Sequence, residues 1–481
     1  MITARAFAGR HYAVYGLARS GLATVEALLA SGARVTAWDA KEEARERLRS
    51  SLTEGWGGGP SNEDSMVEGS APNPSTTAFG SGPPPQPRIK SGAREELEIA
   101  DLDTADLTQF NSLVVTPGLP LNRHPIAQRA RDAGLEIIGD IELFARARPE
   151  LPAHKVVGIT GTNGKSTTTA LVHHILKTAG VPSAMGGNIG LPILAQDPLP
   201  DGGVYVLELS SYQLDLTQSL DCDVAVLLNI TPDHLDRYES FEAYAASKLR
   251  LFEMQSERHS AVATASDWWG RKIHNVAGSD FLDVSDDAFH VWQAEPGAIG
   301  IFEQPNWPSL QGPHNLANVE AALSCCFLLG LDGHQIRGGL ESYPGLPHRM
   351  ERVRDKDGVL FVNDSKATNP TATAPALAAF PSIRWILGGQ AKSDNLDECA
   401  PHFGHVRSAY TIGEAGELFA SLLSPHMPVE CCETLENAVN RAAADSQAGE
   451  TVLLSPACAS FDQFRDFEAR GDRFRELVGA L

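Results

Sequence analysis

The sequence predicts an α/β protein of three domains, each built on a largely parallel sheet with crossover helices. Three observations carry that prediction. Short apolar runs of strand length alternate with amphipathic, helix-like stretches along most of the chain, the rhythm of parallel strands joined through helices. The chain has 481 residues, which at roughly 100 to 200 residues per domain fits about three domains. Two joints rich in Pro and Gly, at Leu151-Pro152 and at Tyr343 to Pro347, divide it into residues 1–150, 151–344 and 345–481.

In the first domain the strand candidates are HYAVYG (11–16), RVTAWD (34–39), SLVVTPG (112–118) and EIIGD (136–140). LATVEALLASG and IAQRARDAG supply helix-like stretches between them. Residues 51–93 are dominated by Gly, Pro and Ser and read as a flexible surface insertion, with too few apolar residues to offset the entropy of ordering. The turn after the first strand, Gly16 to Gly21, places Ala18 where a dinucleotide fingerprint needs its second glycine, the one that lets backbone approach a pyrophosphate. Asp39 nevertheless ends the second strand, where such folds bind a ribose.

The second domain opens with KVVGIT (155–160) and continues through VYVLELS and VAVLLNI. Its first strand runs into GTNGKST, where Gly161 and Gly164 permit a tight turn and Lys165-Ser166-Thr167 opens a helix. That is a phosphate cradle. Backbone N–H groups and the helix N-terminus face the anion, Lys165 reaches the terminal phosphates, and Ser166 or Thr167 offers a hydroxyl to Mg2+. Strict P-loop spacing requires Gly at position 159, which is Ile, so the motif is a variant placed in the right strand-to-helix context. Glu208 closes VYVLE at the carboxyl end of an apolar strand, where open α/β sheets place their ligands, and there it can bind the same Mg2+ or serve as a capping or salt-bridge group.

Beyond PDHLDRY, a helix starting near Ser240 puts Phe241, Tyr244, Lys248, Leu251 and Phe252 on one face. Lys248 thus falls on the apolar stripe. Burial lowers a lysine pKa, and a neutral amine can take up CO2 to become a carbamate, in effect a carboxylate on a long arm. The alternative is an apolar stem with a snorkelling ammonium. His234 and Asp236 are either turn residues or ligands of a second cation shared with the carbamate.

The third domain offers the strands VLFVND, RWILGG, SAYTIG and TVLLSP. Asn369-Pro370 has the order of an N-cap followed by an N1 proline, and Ser460 with Gln463 has the spacing of a capping box. Phe467 falls on the stripe Phe464, Phe467, Gly471, Phe474, Val478, which core packing alone would explain.

Composition narrows the function. A formal net charge of −22 repels nucleic-acid backbone at long range, while a local nest of N–H groups still binds a small phosphate. No apolar run approaches the roughly 20 residues of a bilayer span, and the first residues carry no export signal, so a cytoplasmic protein is expected, with no membrane partner. Seven cysteines without a C-x-x-C read as reduced thiols.

Taken together, GITGTNGKST, GGNIGLP, YVLELSSYQLD, PDHLDRY, YAASKLRLFE, GPHNLANVEAA, GLPHRME, VNDSKATNP, LGGQAKS and LLSPACASFDQFRDFEARGDRF closely resemble the Mur ligase family, in the family's order and over nearly the whole chain outside residues 51–93. The resemblance implies an N-terminal Rossmann-like domain for a UDP-linked substrate, a central P-loop ATPase-like domain and a C-terminal Rossmann-like domain for the incoming amino acid. It implies ATP-dependent amide formation through an acyl phosphate, a monomeric enzyme, two Mg2+ ions and a carbamylated Lys248. Its substrates would be UDP-N-acetylmuramoyl-L-alanine, D-glutamate and ATP.

By matching motifs, Gly161, Thr162, Asn163, Gly164, Lys165, Ser166 and Thr167 would hold the nucleotide phosphates, with Asn318, Arg349 and Asp364 as further nucleotide contacts. Ser166 and Glu208 would take the first cation, and His234 with Lys248 the second. Arg19, Ser20, Asp39 and Gly118 would meet the UDP portion, and Asn188 the muramoyl group. Lys366, Thr368, Lys392, Ser460 and Phe467 would receive D-glutamate. SPACASFDQF with GGQAKS favours D-glutamate over the amino acids of sibling ligases. A non-catalytic nucleotide-binding module would share the phosphate loop without needing Glu208, His234 and Lys248 together. An NAD-dependent oxidoreductase fails at Ala18.

Overall fold

A computed structural model describes residues 1–53, 95–233, 237–264, 281–283 and 306–481. Most of the expected insertion, and His234, lie outside the described residues. The chain forms two compact units, Met1–Ile301 with Ala317–Leu340, and Phe302–Leu316 with Glu341–Leu481.

The first unit holds two all-parallel sheets. One comprises β1 (His11–Tyr15), β2 (Arg34–Trp38), β3 (Leu97–Ile99), β4 (Ser112–Val115) and β5 (Ile137–Ile138) in the order β3-β2-β1-β4-β5. The other comprises β6 (His154–Thr160), β7 (Ser183–Gly187), β8 (Gly203–Glu208), β9 (Val224–Leu227), β10 (Ser260–Ala263) and β11 (Phe281–Asp283) in the order β11-β10-β9-β6-β8-β7. Because all strands of a parallel sheet point one way, the loops that follow them gather on one edge. Strand order reverses beside β1 in the first sheet and beside β6 in the second, and the crevice at such a reversal is where open α/β sheets bind ligands.

The two sheets are tied by a buried carboxylate. Glu142, on helix Asp140–Ala147, accepts from the amides of Gln218 (2.7 Å) and Ser219 (2.9 Å), the Ser219 hydroxyl (2.8 Å) and Arg146 Nε (2.8 Å). Its charge is shared among four donors, which is what makes its near-complete burial tolerable.

The second unit carries β12 (Glu351–Lys356), β13 (Val359–Asn363), β14 (Ile383–Gly388), β15 (Val406–Ile412), β16 (Val429–Glu433) and β17 (Thr451–Leu454), ordered β12-β13-β17-β14-β15-β16. Only β12 runs antiparallel, against β13. Trp385, Leu387, Leu453 and Phe419 sit in one apolar layer of this sheet, and Ile386, Tyr410, Leu454 and Phe474 in the other. The strands alternate their side chains between the two layers.

Several local expectations hold. Helix Phe241–Glu253 is capped by Ser240, whose hydroxyl accepts from Ala243 N, and it buries Tyr244, Lys248, Leu251 and Phe252. Asn369 caps helix Pro370–Ala378 through Ala372 N at 2.8 Å. All seven cysteines are free. The capping box expected at Ser460 does not form. The last helix begins at Phe467 under Asp466, whose carboxylate accepts from Ala469 N at 2.7 Å. Residues 460–464 instead make a turn, with the amides of Gln463 and Phe464 donating to Ser460 O. An ionised acceptor makes the stronger cap, and starting the helix there leaves Phe464 on the turn, packed against the Phe474 layer.

Candidate active site

The phosphate loop is shaped by two glycines and by the strand beside it. Gly164, at φ +85°, caps helix Lys165–Thr178 in the left-handed region, and a Cβ there would stand 2.1 Å from Asn318 Oδ1. Asn318 Oδ1 also accepts from Thr168 Oγ1, so the predicted nucleotide contact Asn318 is built into the wall of the loop. Asn163 N donates to Asn229 Oδ1 at 2.8 Å and Thr162 N to Asn229 O at 2.9 Å, which fastens the loop to the end of β9. Lys165 Nζ reaches back to the carbonyls of Gly161 (2.9 Å) and Thr162 (2.8 Å). Ser166 is buried in the first helical turn and Thr167 is half-buried.

Glu208 ends β8 beside Ile159 of β6. It is buried; Oε1 accepts from Asn188 Nδ2 at 2.9 Å, while Oε2 is enclosed and has no hydrogen-bond partner among the described residues. A buried carboxylate oxygen left unpaired is costly unless a cation or donor meets it, and hard oxygen donors suit Mg2+. The residues present therefore fit the first cation. Asn188, expected at the muramoyl group, is fastened to Glu208 twice, by its side chain on the carboxylate and by Asn188 N donating to the backbone carbonyl Glu208 O at 2.8 Å. Gly187 permits that approach, since a Cβ there would stand 2.1 Å from Glu208 O.

Lys248 points inward as its place on the stripe predicts. Its Nζ donates to Gly161 O at 2.8 Å, the carbonyl that also receives Lys165, and lies 4.6 Å from the Tyr244 ring centroid. Burial, reinforced by the Lys165 charge, brings its pKa down to about 7. His234, expected to share a second cation with Lys248, lies outside the described residues.

At the edge of the first sheet, Gly16 (φ +98°) and Gly21 keep the outer roles of a nucleotide-binding turn. A Cβ on Gly16 would stand 2.2 Å from Thr116 Oγ1, and one on Gly21 1.9 Å from Gly16 O. Ala18 is the N-cap of helix Arg19–Ala30. Asp39 is engaged by backbone: Oδ2 accepts from Leu17 N (2.7 Å) and Oδ1 from Lys41 N (2.9 Å). Arg19, the first residue of that helix, reaches with Nη2 to Gly190 O at 3.3 Å, in the GGNIG loop that also carries Asn188. Ser20 sits in the first turn of its helix, and Gly118 lies in the loop after β4.

In the second unit the loops after β13, β14 and β17 meet. Asp364 is buried; its Oδ2 accepts from Ser455 Oγ (2.8 Å) and its Oδ1 from Met350 N (3.2 Å), and burial pushes its pKa up to about 7. Arg349 lies between His348 and Met350, two non-glycine residues at φ +61° and +47°. Lys366 Nζ sits 3.9 Å from the Phe467 ring centroid, and Lys392 Nζ donates to Thr368 Oγ1 at 3.4 Å. Phe467 is half-buried outside the apolar layer that takes Phe474 and Val478, and its ring meets His348 edge-on, with centroids 6.2 Å apart. Ser460 is buried beside the antiparallel bridge Gln390–Ala459.

Sequence reasoning missed Arg470, whose guanidinium binds these loops together. It donates to Ser365 Oγ and Ser365 O (both 2.9 Å), Cys458 O (3.0 Å), Ala459 O (3.4 Å) and Gly388 O (3.5 Å). Burial among neutral acceptors lowers its pKa to about 10.

Two family domains match the chain: the Mur ligase middle domain over residues 159–326 and the Mur ligase glutamate ligase domain over residues 348–458. The chain is 56% identical to UDP-N-acetylmuramoylalanine–D-glutamate ligase of Novosphingobium aromaticivorans, over all of this chain and 97% of that one. Among solved structures it is similar to the UDP-N-acetylmuramate-alanine ligase of Thermotoga maritima, with 15% identity, TM-score 0.53 and coverage of 98% of this chain and 99% of that one. A MurF ligase of Thermotoga maritima in complex with ADP aligns with 19% identity, TM-score 0.52 and coverage of 77% and 90%.

Proposed function

Because this chain belongs to the Mur ligase family, we propose that it joins the amino group of D-glutamate to the carboxyl of UDP-N-acetylmuramoyl-L-alanine, driven by ATP, in the making of peptidoglycan precursor. The observation that carries this reading is the edge of the second sheet. There a glycine loop with Lys165 adjoins a buried carboxylate, Glu208, with one oxygen unpaired. The relative's name and the two cations beside Thr368 and Phe467 support D-glutamate as the acceptor.

A carboxylate is a poor electrophile, so the substrate acid first attacks the γ-phosphorus of ATP, giving an acyl phosphate and ADP. The amine of D-glutamate then attacks the acyl carbon, and phosphate leaves as the amide forms, the amine shedding a proton. The amides of the glycine loop and Lys165 hold the phosphates during the first step. Ser166 and Glu208 would hold one Mg2+, and His234 with carbamylated Lys248 a second. When bound, these ions neutralise charge between two reacting anions. Lys366, Lys392, Thr368 and Ser460 would hold the carboxylates of D-glutamate, with Phe467 forming the wall under Lys366.

In this reading residues 1–150 bind the UDP portion, 151–344 ATP and 345–481 the amino acid, and the enzyme works as a monomer in the cytoplasm. None of the described helices is long and apolar enough to cross a membrane. The test is phosphate release with ATP and UDP-N-acetylmuramoyl-L-alanine, comparing D-glutamate with L-glutamate, L-alanine and diaminopimelate. Turnover that prefers diaminopimelate would overturn the substrate assignment.

A further inference from the structure

Arg237 follows directly on PDHLD, and its sequence position does not distinguish it from an ordinary surface arginine. In the structure its guanidinium donates to three consecutive carbonyls of the loop after β4: Pro117 O at 3.0 Å, Gly118 O at 3.3 Å, and Leu119 O. The guanidinium carbon lies 4.0 Å from the Tyr212 ring centroid. Tyr212 in turn stacks on Tyr238, with centroids 6.2 Å apart and planes 17° from parallel, and Tyr238 OH donates to Asp215 Oδ2 at 2.8 Å. The arginine is thus anchored on residues flanking the second sheet while it grips a loop of the first, at the point where that sheet's strand order reverses.

What this grip does follows from peptide geometry. No peptide bond among the described residues is cis, and in a planar trans peptide the C=O and the next N–H point in opposite directions. Capture of Pro117 O by Arg237 therefore turns the Gly118 amide away from the guanidinium. That amide donates to no acceptor among the described residues, whereas the neighbouring Leu119 amide is spent on Thr116 O at 3.0 Å. Gly118 is exposed, and a Cβ on it would meet nothing within 4 Å, so no packed side chain stands over that face of the residue. An oriented, unspent backbone donor beside open space is suited to an anionic or carbonyl oxygen.

We propose that Arg237 is a positioning residue that sets the loop after β4 so that the Gly118 amide faces an oxygen of the UDP-linked substrate. This rests on the proposed role of Gly118 as a contact of that substrate. Lysine cannot replace the arginine here, because a single ammonium lacks the planar fork that reaches successive carbonyls while stacking on a ring.

The experiment compares Arg237→Lys and Arg237→Ala with the wild type, by steady-state kinetics and by calorimetric binding of UDP-N-acetylmuramoyl-L-alanine alone. The expected result is a rise of tenfold or more in KM and Kd for that substrate in both variants. KM for ATP and D-glutamate should stay within twofold, and millimolar guanidinium should partly restore the alanine variant. An unchanged Kd for the UDP-linked substrate, or an equal rise in all three KM values, would overturn the proposal. A wild type that binds no UDP-linked substrate would overturn the functional reading itself, a result distinguishable because it needs no variant.

Discussion

Asp364→Asn tests whether the buried carboxylate beneath the acceptor loops carries a stability cost that function retains. Burial lifts the Asp364 pKa from 3.8 to about 7. A carboxyl whose folded pKa lies above its unfolded value stabilises the fold when protonated, so its contribution is fully present below pH 3.8 and is lost as pH rises through about 7. At about 1.4 kcal/mol per unit, the full span is worth roughly 4 kcal/mol, of which about 2 to 3 kcal/mol falls between pH 5 and pH 8. Asparagine mimics the neutral acid. Its oxygen can accept from Met350 N, and its amide can donate to Ser455 Oγ, which still donates to Thr373 Oγ1. The variant should therefore gain stability over the wild type by an amount that grows by about 2 to 3 kcal/mol from pH 5 to pH 8, while ligase activity falls sharply. Urea titrations at the two pH values measure the difference, and hydrogen exchange in β13 and β17 assigns it to the second unit. A pH-independent difference, or a variant that loses ground as pH rises, would show that Asp364 is held as a stabilised anion and refute the reasoning.

Lys248→Ala should be nearly inactive and partly restored by a short exogenous carboxylate such as acetate, read as phosphate release; full activity without the additive would remove the carbamate role. Gly164→Ala forces a side chain into the left-handed region and against Asn318 Oδ1 at 2.1 Å, so KM for ATP should rise at least tenfold, in a titration of ATP at saturating acceptor. Arg470→Met leaves buried carbonyls of Ser365 and Cys458 without donors, at about 1 to 3 kcal/mol each, partly offset by removal of a buried charge. It should lower the urea midpoint of the second unit and raise KM for D-glutamate more than KM for ATP, and an unchanged midpoint would contradict the bracing role.

What the sequence made legible was local. The glycine loop, the strand that ends in Glu208, the Asn369-Pro370 cap and the inward face bearing Lys248 each declare themselves within about a dozen residues, and each is found in place. Strands β12 and β16 were not legible, because ERVRDK and VECCE are polar edge strands whose pairing comes from a neighbour and not from apolar pattern. Ser460 misled because its capping spacing competes with a stronger cap at Asp466. Arg237 and Arg470 were invisible for a different reason. Each is defined by carbonyls brought together from distant segments, and carbonyls carry no sequence signature.

The pair formed by Lys165 and Lys248 shows how such convergence becomes chemistry. Both ammonium groups lie within hydrogen-bond distance of the Gly161 carbonyl, so their nitrogens are no more than about 6 Å apart. Two like charges at that separation repel by about 3 kcal/mol at an effective dielectric of roughly 20, equivalent to about two pK units. One lysine is far more enclosed than the other, so the repulsion adds to burial at Lys248, and that is the group whose pKa falls to about 7. A lysine neutral near physiological pH presents a lone pair to CO2. In the proposed reading, addition of CO2 to that neutral amine would turn a site that disfavours a cation beside Lys165 into one that holds an anion, which Lys165 attracts. In that reading, the same crowding that makes Lys248 a poor cation would favour its carbamate anion, beside the Gly161 carbonyl that both lysines share.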